Sequence, residues 1–402
     1  MIMSSSQDNT EDRIDRICDS VKAWLDNEDG MRENSVERTV TEGLFTRYDL
    51  EHMLDQIART VTRDTLASWV NRVLGEREIS DQEFDVFSGS DSDPVGNSES
   101  IPQNVLCLHA GNLPMVGLQD VIATLLSGAA YYGKLSGKDP WLLDGLLRVL
   151  RNRLPDQLGG WAVRLEDLDA VMAGKVLFAG SQASVDGIVR RVRELNVAAP
   201  EARFLPRTAR LSMAWLREED FRPDSVPLGK LSKRLIEAML RYEGRGCRSV
   251  AVVIASRNLS EFAGWLTDTA EVFVRSNPPS PNHKQGANYW KSYLKSTGRD
   301  VYDLGGQIIT DDADLMGRQD VICWVKGGVK DVERLARRFG PQLQSVYVNA
   351  DPAVAGTGGL IQPEPYQLAA SDGIRLEPLR CAQTPPIDWQ PDGVDVLSWL
   401  LK

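Results

Sequence analysis

Zinc-binding patterns are missing from this chain. It has only three histidines and five cysteines, with no CxxC pair and no His/Cys cluster, so no metal site is expected. GxGxxG and the P-loop pattern are absent as well, which removes the ordinary dinucleotide and nucleoside triphosphate fingerprints. No apolar run reaches the roughly 20 residues needed to cross a bilayer; Val121–Tyr132 comes nearest. Nor is there an excess of positive charge. Lys and Arg number 46 against 57 Asp and Glu, a net −11, which speaks against nucleic acid or an anionic membrane as the main partner. The opening stretch MIMSSSQDNTEDRID has neither the basic nor the apolar region of a secretory signal. The cysteines are odd in number and scattered, which fits a reducing compartment. A soluble cytoplasmic protein is the expectation.

What is present is ordinary globular composition, 42% hydrophobic and 26% charged over 402 residues, enough for two or three domains. Residues 11–27 place Ile14, Ile17, Val21, Trp24 and Leu25 on one helical face, and a second helical tract runs from Leu50 to Leu74. His52, at the start of that tract, reads as a surface or capping residue. Phe87–Ser100 (FSGSDSDPVGNSES) has linker composition. Beyond it, short apolar runs alternate with helical stretches, the signature of a mainly parallel sheet. The runs are Val105–Leu108, Ala129–Tyr132, Val176–Phe178 and Leu211–Leu216, with helices at Gly117–Leu126, Pro140–Leu150 and Ser184–Leu195. Later comes a helix over Ser260–Val272 with Phe262, Trp265 and Leu266 inward, then a Pro/Asn loop over Ser276–Asn288 that leaves His283 exposed. Strands at Val321–Val325 and Val346–Val348 flank a helix at Val329–Phe339. A long ordered loop around Gly356–Gly359 and Gln362–Gln367 and a closing helix over Val394–Leu401 complete the chain.

The clearest chemistry lies between Leu228 and Ser256. Leu231, Leu235, Ile236, Met239 and Leu240 recur at helical spacing, Gly244 and Gly246 end the helix, and Val250–Ala255 reads as a strand buried on both faces. Cys247 therefore sits at a tight helix-to-strand junction between Arg245 and Arg248. A thiol attacks only as thiolate, and neighbouring cations lower its pKa. A single cysteine is also commonly a small packed hydrophobe, and the residues alone leave both readings open.

Strand ends in the first half carry other candidates. His109-Ala110-Gly111-Asn112 follows the first run; Asn112 is either a turn asparagine or an amide donor facing a ligand crevice. Lys134 follows the second run, ahead of Gly137 and Lys138. Gly180-Ser181 follows the third and opens a helix, where amides and dipole can hold an anion, although most such junctions are plain N-caps.

HAGNLPMVG (109–117), KLSGKDP (134–140), FAGS (178–181), GRGCRSV (244–250) and AQTPPIDWQPDGVDVLSWL (382–400), in this order over residues 100–402, resemble the LuxC-type acyl-CoA reductases of the aldehyde dehydrogenase superfamily. The resemblance implies an α/β, aldehyde dehydrogenase-like fold. Its parts would be a helical amino-terminal region (1–95), a parallel-sheet dinucleotide-binding domain (96–225), an α/β catalytic domain carrying the cysteine (226–370), and a carboxy-terminal segment returning to the core (371–402). It puts Cys247 as the acyl-accepting thiol, Asn112 in the oxyanion hole, Lys134 at the adenosine ribose, and Gly180 and Ser181 at the cofactor pyrophosphate. It also implies a homo-oligomer.

The sequence departs from the superfamily pattern in two ways. Aldehyde-oxidising members carry a glutamate that activates water; the corresponding stretch, Leu205–Arg210, has no carboxylate, which favours thioester reduction over aldehyde oxidation. An acidic residue beyond Lys134 would clasp a ribose hydroxyl, whereas Gly137 and Lys138 suit a 2′-phosphate. The expected activity is NADPH-dependent reduction, in preference to NADH, of an acyl thioester on coenzyme A or a carrier protein to an aldehyde, through a Cys247 acyl-enzyme. Its rivals are a cysteine acyltransferase without a redox step and a non-catalytic scaffold that binds a carrier. His109, close to Asn112, either shuttles a proton or is structural. Cys18, Cys107, Cys323 and Cys381 read as structural, with Cys107 and Cys323 buried.

Overall fold

The computed structural model describes residues 3–42, 45–85, 104–168, 171–222, 228–350 and 374–402. The linker at 87–100, the loop around 356–367 and the domain limits drawn near 95, 225 and 370 lie outside the described residues. The chain divides into two units, one of Met1–Thr41, Met53–Arg207 and Pro386–Lys402, the other of Glu42–His52 and Thr208–Pro385.

The first unit opens with α1 (Met3–Leu25) and α2 (Met31–Thr41), then α3 (Arg47–Thr60), within which the boundary between the units falls, and α4 (Arg63–Asp85). The single tract expected over 50–74 is thus two helices. Thr62 and Thr65 cap the second reciprocally, each hydroxyl accepting from the other's amide, at 3.0 and 3.3 Å. Apolar periodicity runs straight through this break, which hides it.

A five-stranded sheet follows, built from β1 (Asn104–Leu108), α5 (Leu118–Leu126), β2 (Ala130–Lys134), α6 (Trp141–Arg153), β3 (Leu158–Ala162), β4 (Ala173–Ala179), α7 (Val185–Glu194) and β5 (Ala198–Arg207). All its strands are parallel, in the order β3-β2-β1-β4-β5. The order reverses between β1 and β4, and sheets of this kind open a crevice at the carboxyl ends of the strands flanking such a reversal. β3 and β5 escape the sequence reading. β3 is the glycine-rich LGGWA, and β5 carries Pro200 and Pro206, which a strand tolerates at the edge of a sheet.

The second unit holds β6 (Leu211–Leu216), α8 (Leu228–Leu240), β7 (Val250–Ala255), α9 (Leu259–Ser276), α10 (Pro281–Ser296), β8 (Tyr302–Asp303), β9 (Ile308–Thr310), β10 (Val321–Lys326), α11 (Val329–Phe339), β11 (Leu343–Val348) and β12 (Leu376–Pro378). Its seven strands run β12-β11-β6-β7-β10-β9-β8, parallel except for the antiparallel β8–β9 pair. β6 belongs here, between β7 and β11, and not with the runs of the first sheet. An apolar run specifies a buried strand but not its neighbours. Helix α8 buries Leu231, Leu235, Ile236, Met239 and Leu240 in one core with Val250 and Val253 of β7 and Phe262 and Leu266 of α9. The buried stripe of α9 runs through Leu259, Phe262, Ala263, Leu266 and Ala270, leaving Trp265 outside it and 48% exposed.

Ser276–Asn288 is a loop only over 277–280. Pro281 takes the first turn of α10, where its missing N–H is not needed, behind Ser280 as N-cap. His283 is consequently 4% exposed, with Nδ1 2.9 Å from Asp320 Oδ1. The chain ends in α12 (Val396–Leu401), back in the first unit. Asp395 caps it and pairs with Arg72 at 2.8 Å.

Candidate active site

Past α8 the chain turns through Tyr242 (φ 53°, ψ 34°), Glu243 (φ 56°, ψ 28°) and Gly244 (φ 66°), all left-handed. That region costs a non-glycine residue about 1–2 kcal/mol, so partners must hold it. The Tyr242 amide donates to Asp49 Oδ1 (3.4 Å), the Ser280 amide to Glu243 Oε1 (2.5 Å), and Gln307 Nε2 to the Glu243 carbonyl (3.1 Å). At Gly244 a Cβ would stand 2.9 Å from the Met239 carbonyl oxygen in a left-handed backbone, so glycine is strongly favoured there. His52, read as a surface or capping residue, is half-buried, 3.9 Å from Glu237 and edge-on to the Tyr242 ring.

Cys247 follows, half-buried, in a turn closed by the Ser249 amide on the Gly246 carbonyl at 3.0 Å. Its own carbonyl accepts from Ser212 Oγ at 2.9 Å, tying the turn to β6. Arg245, one of the flanking cations, pairs with Glu243 at 2.5 Å. Burial pushes the other four thiols up, Cys18 to about 11 and Cys323 to about 12, Cys107 and Cys381 in the same direction. Cys107 and Cys323 are fully buried. Such thiols stay protonated and inert at neutral pH.

In the first unit the other candidates stand at adjacent strand ends. Lys134 is the last residue of β2, half-buried, and its carbonyl accepts from the His109 amide at 3.0 Å. Burial lowers the pKa of its ammonium, with Glu166 opposing. Lys138 is exposed in the loop beyond. Gly180 and Ser181 are exposed after β4; the Gly180 amide is committed to the Arg207 carbonyl at 3.1 Å, and Ser181 Oγ lies 2.6 Å from Ser184 Oγ. Asn112 is half-buried in the turn from β1 to α5. Asn112, Lys134 and Gly180-Ser181 thus belong to one unit, Cys247 to the other.

A buried polar cluster that sequence reading missed anchors the Asn112 turn. His109 Nε2 lies 2.8 Å from Tyr131 Oη and Nδ1 3.9 Å from Asp120 Oδ2, which accepts from Arg207 Nη2 at 2.5 Å. A Cβ on Gly117 would fall 2.1 Å from His109 Nδ1. Burial drives the His109 pKa down to about 4, Asp120 opposing and Arg207 and Lys134 adding to it. The imidazole is therefore neutral at pH 7 and sealed, which favours the structural role over a proton shuttle. The unfolded chain takes up this proton first, near 6.5. Stability is complete above that pH and falls as pH drops toward 4, by about 3 kcal/mol in all. Thermal melts between pH 7 and 4 should show His109→Gln losing less of its Tm than the parent; equal losses would contradict this.

A family model for acyl-CoA reductases of the LuxC type matches residues 6–288. The chain belongs to that family. No curated protein matches it in sequence. Among solved structures it is similar to aldehyde dehydrogenase 21 of Physcomitrella patens, at 14% identity over 86% of this chain and 74% of that one, TM-score 0.56. An indole-3-acetaldehyde dehydrogenase of P. syringae, solved with NAD+, matches at 12% identity over 84% and 72%, TM-score 0.56. An NAD-dependent benzaldehyde dehydrogenase of Corynebacterium glutamicum matches at 15% over 84% and 76%, TM-score 0.53. The fold is aldehyde dehydrogenase-like, as the resemblance implied, and the LuxC-family chain is an oxidoreductase.

The matched range of this LuxC-family chain contains Asn112, Lys134, Lys138, Gly180, Ser181 and Cys247. The stretch 205–210, which has no carboxylate, contains Arg207, buried and paired with Asp120. Among the described residues no group of His, Cys, Asp and Glu could hold a metal, and no helix is long and apolar enough to cross a membrane. Asp49, Ser212, Glu243 and Gln307 shape the cysteine turn, yet no motif marks them. Asp49 reaches Tyr242 across 193 positions of sequence.

Proposed function

We propose that this LuxC-family chain reduces an acyl thioester, carried on coenzyme A or a carrier protein, to an aldehyde through an acyl group held on Cys247, with NADPH as reductant. What carries the reading is that one family match spans both the Asn112 turn and the Cys247 turn. A nicotinamide cofactor is supported by the NAD-using dehydrogenases of similar fold and by the residues present here. Gly180 and Ser181 are exposed beside the reversal of strand order. A Cβ on Gly180 would meet the Phe178 ring at 2.4 Å, so the backbone there stays bare for a phosphate to approach.

The cofactor supplies hydride; the chain does the rest. The Cys247 thiolate attacks the acyl carbonyl, the carbon–sulfur bond to the carrier breaks, and the carrier leaves as its thiolate. The Asn112 amide and the Cys247 backbone N–H donate to the oxygen as it gains negative charge. After reduction, the bond from carbon to the Cys247 sulfur breaks, its electron pair returns to sulfur, and the aldehyde departs. With no carboxylate in 205–210 to activate water, the acyl group awaits reduction instead of hydrolysis. Preference for NADPH rests on Gly137 and the exposed Lys138, a cation suited to a 2′-phosphate.

Following nicotinamide absorbance over a series of acyl-CoA chain lengths tests this reading. We expect kcat/KM with NADPH to exceed that with NADH by about ten-fold or more. A preference for NADH would overturn the cofactor assignment. Acyl transfer to an amine with no nicotinamide bound would replace the reductase by the acyltransferase.

A further inference from the structure

We propose that Glu243 is the positioning residue of the nucleophile turn: its carboxylate braces Tyr242–Gly244 against the start of α10 and against Arg245, and so fixes where the Cys247 sulfur stands. This rests on the reading of Cys247 as nucleophile and adds a residue to it. The Glu243 side chain is 8% exposed. One oxygen accepts the Ser280 amide at 2.5 Å, and the other faces Arg245 at 2.5 Å. A carboxylate engaged on both oxygens serves as a brace and not as a base.

What it grips is itself held. The first turn of α10 is pinned by His283 Nδ1 at 2.9 Å from Asp320 Oδ1. Gly286 and Gly306 admit no side chain there, since a Cβ would stand 1.9 Å from Asp320 Oδ2 and 2.8 Å from His283 Cδ2 respectively. What it holds is strained: Tyr242 and Glu243 are both left-handed without being glycine, a conformation that persists only where its surroundings impose it. Asp49 and Gln307 grip the same turn through its backbone, whereas Glu243 ties it from within, its own carboxylate reaching out to Ser280 and Arg245. Without the carboxylate the turn relaxes toward ordinary backbone angles and Cys247, next along the chain after Arg245 and Gly246, shifts with it. The Arg245 cation also loses its contact with Glu243.

The experiment compares Glu243→Ala, Glu243→Gln and Ser280→Pro in the full chain. Glutamine keeps an oxygen for the Ser280 amide. Ser280→Pro removes that N–H and sets the ring Cδ where the Glu243 oxygen stands, at a φ of −61° that proline itself adopts. Readouts are kcat and KM with an acyl-CoA and NADPH, and the pH profile of Cys247 alkylation by iodoacetamide, followed by peptide mass. Glu243→Ala should lower kcat about a hundred-fold, as misplacement of a reacting group by about 1 Å does, with KM for NADPH within about two-fold. Alkylation of Cys247 should slow about ten-fold. Glu243→Gln should recover most of the loss, and Ser280→Pro should fall between the two. Parental kcat and alkylation in both Glu243→Ala and Ser280→Pro overturn the proposal; if the alanine variant fails to fold, Ser280→Pro decides alone. A parent that makes no aldehyde, but whose Cys247 alkylation depends on Glu243, sinks the reductase and supports the brace. An active parent indifferent to Glu243 does the reverse.

Discussion

Replacing Cys247 by serine is expected to reduce aldehyde formation from an acyl thioester by at least about a thousand-fold. A hydroxyl ionises far less readily than a thiol, so serine needs an adjacent base. The carboxylate nearest to it along the chain, Glu243, is committed to Ser280 and Arg245. The exchange changes one atom at a half-buried position, so the variant should melt with the parent and bind cofactor equally well. Mass spectrometry gives a second reading. Incubated with acyl-CoA and no reductant, the parent should carry an acyl group on the Cys247 peptide and the variant none. Undiminished turnover by the serine variant would end the assignment. Asn112→Ala should cost about a hundred- to a thousand-fold in kcat with cofactor affinity nearly intact. A loss confined to cofactor affinity would contradict its oxyanion role.

Asp120→Ala is expected to destabilise the chain by about 3–5 kcal/mol. Asp120 is 1% exposed and Arg207 9%, and they meet at 2.5 Å. Removing the acid strands a guanidinium in a site that also holds the neutral His109 and the buried Tyr131. For a unit of this size the loss should lower Tm by roughly 10 °C. Removing both charges is a different experiment, because no unpaired ion remains. Asp120→Leu with Arg207→Met should therefore recover most of the stability lost by Asp120→Ala. A single variant that melts with the parent, or a double variant worse than the single, would show that the pair is not the anchor of the Asn112 turn.

Much of this protein was legible without coordinates, and the reason is periodicity. Helix α11 lies over Val329–Phe339 as its spacing predicts, and the five apolar positions of α8 are its buried face. The run VAVVIA forms β7, and the glycines between α8 and β7 mark the turn that carries Cys247. Each of these signals resides in consecutive residues of one element, where the repeat of side chains along a helix or strand reports which face meets the core. Motif order extended this to the family, because a strand end followed by a helix start is also a local pattern.

Only the tertiary structure decided the rest. It assigned β6 to the second sheet, buried His283 beneath a proline-marked helix start, and joined Asp120 to Arg207 across 87 positions and Asp49 to Tyr242 across 193. A strand's neighbours and a buried charge's partner are set by which surfaces meet after the chain has folded back on itself. No repeat along the sequence encodes that meeting, so residues such as Glu243 pass for ordinary surface acids until the turn they hold is seen.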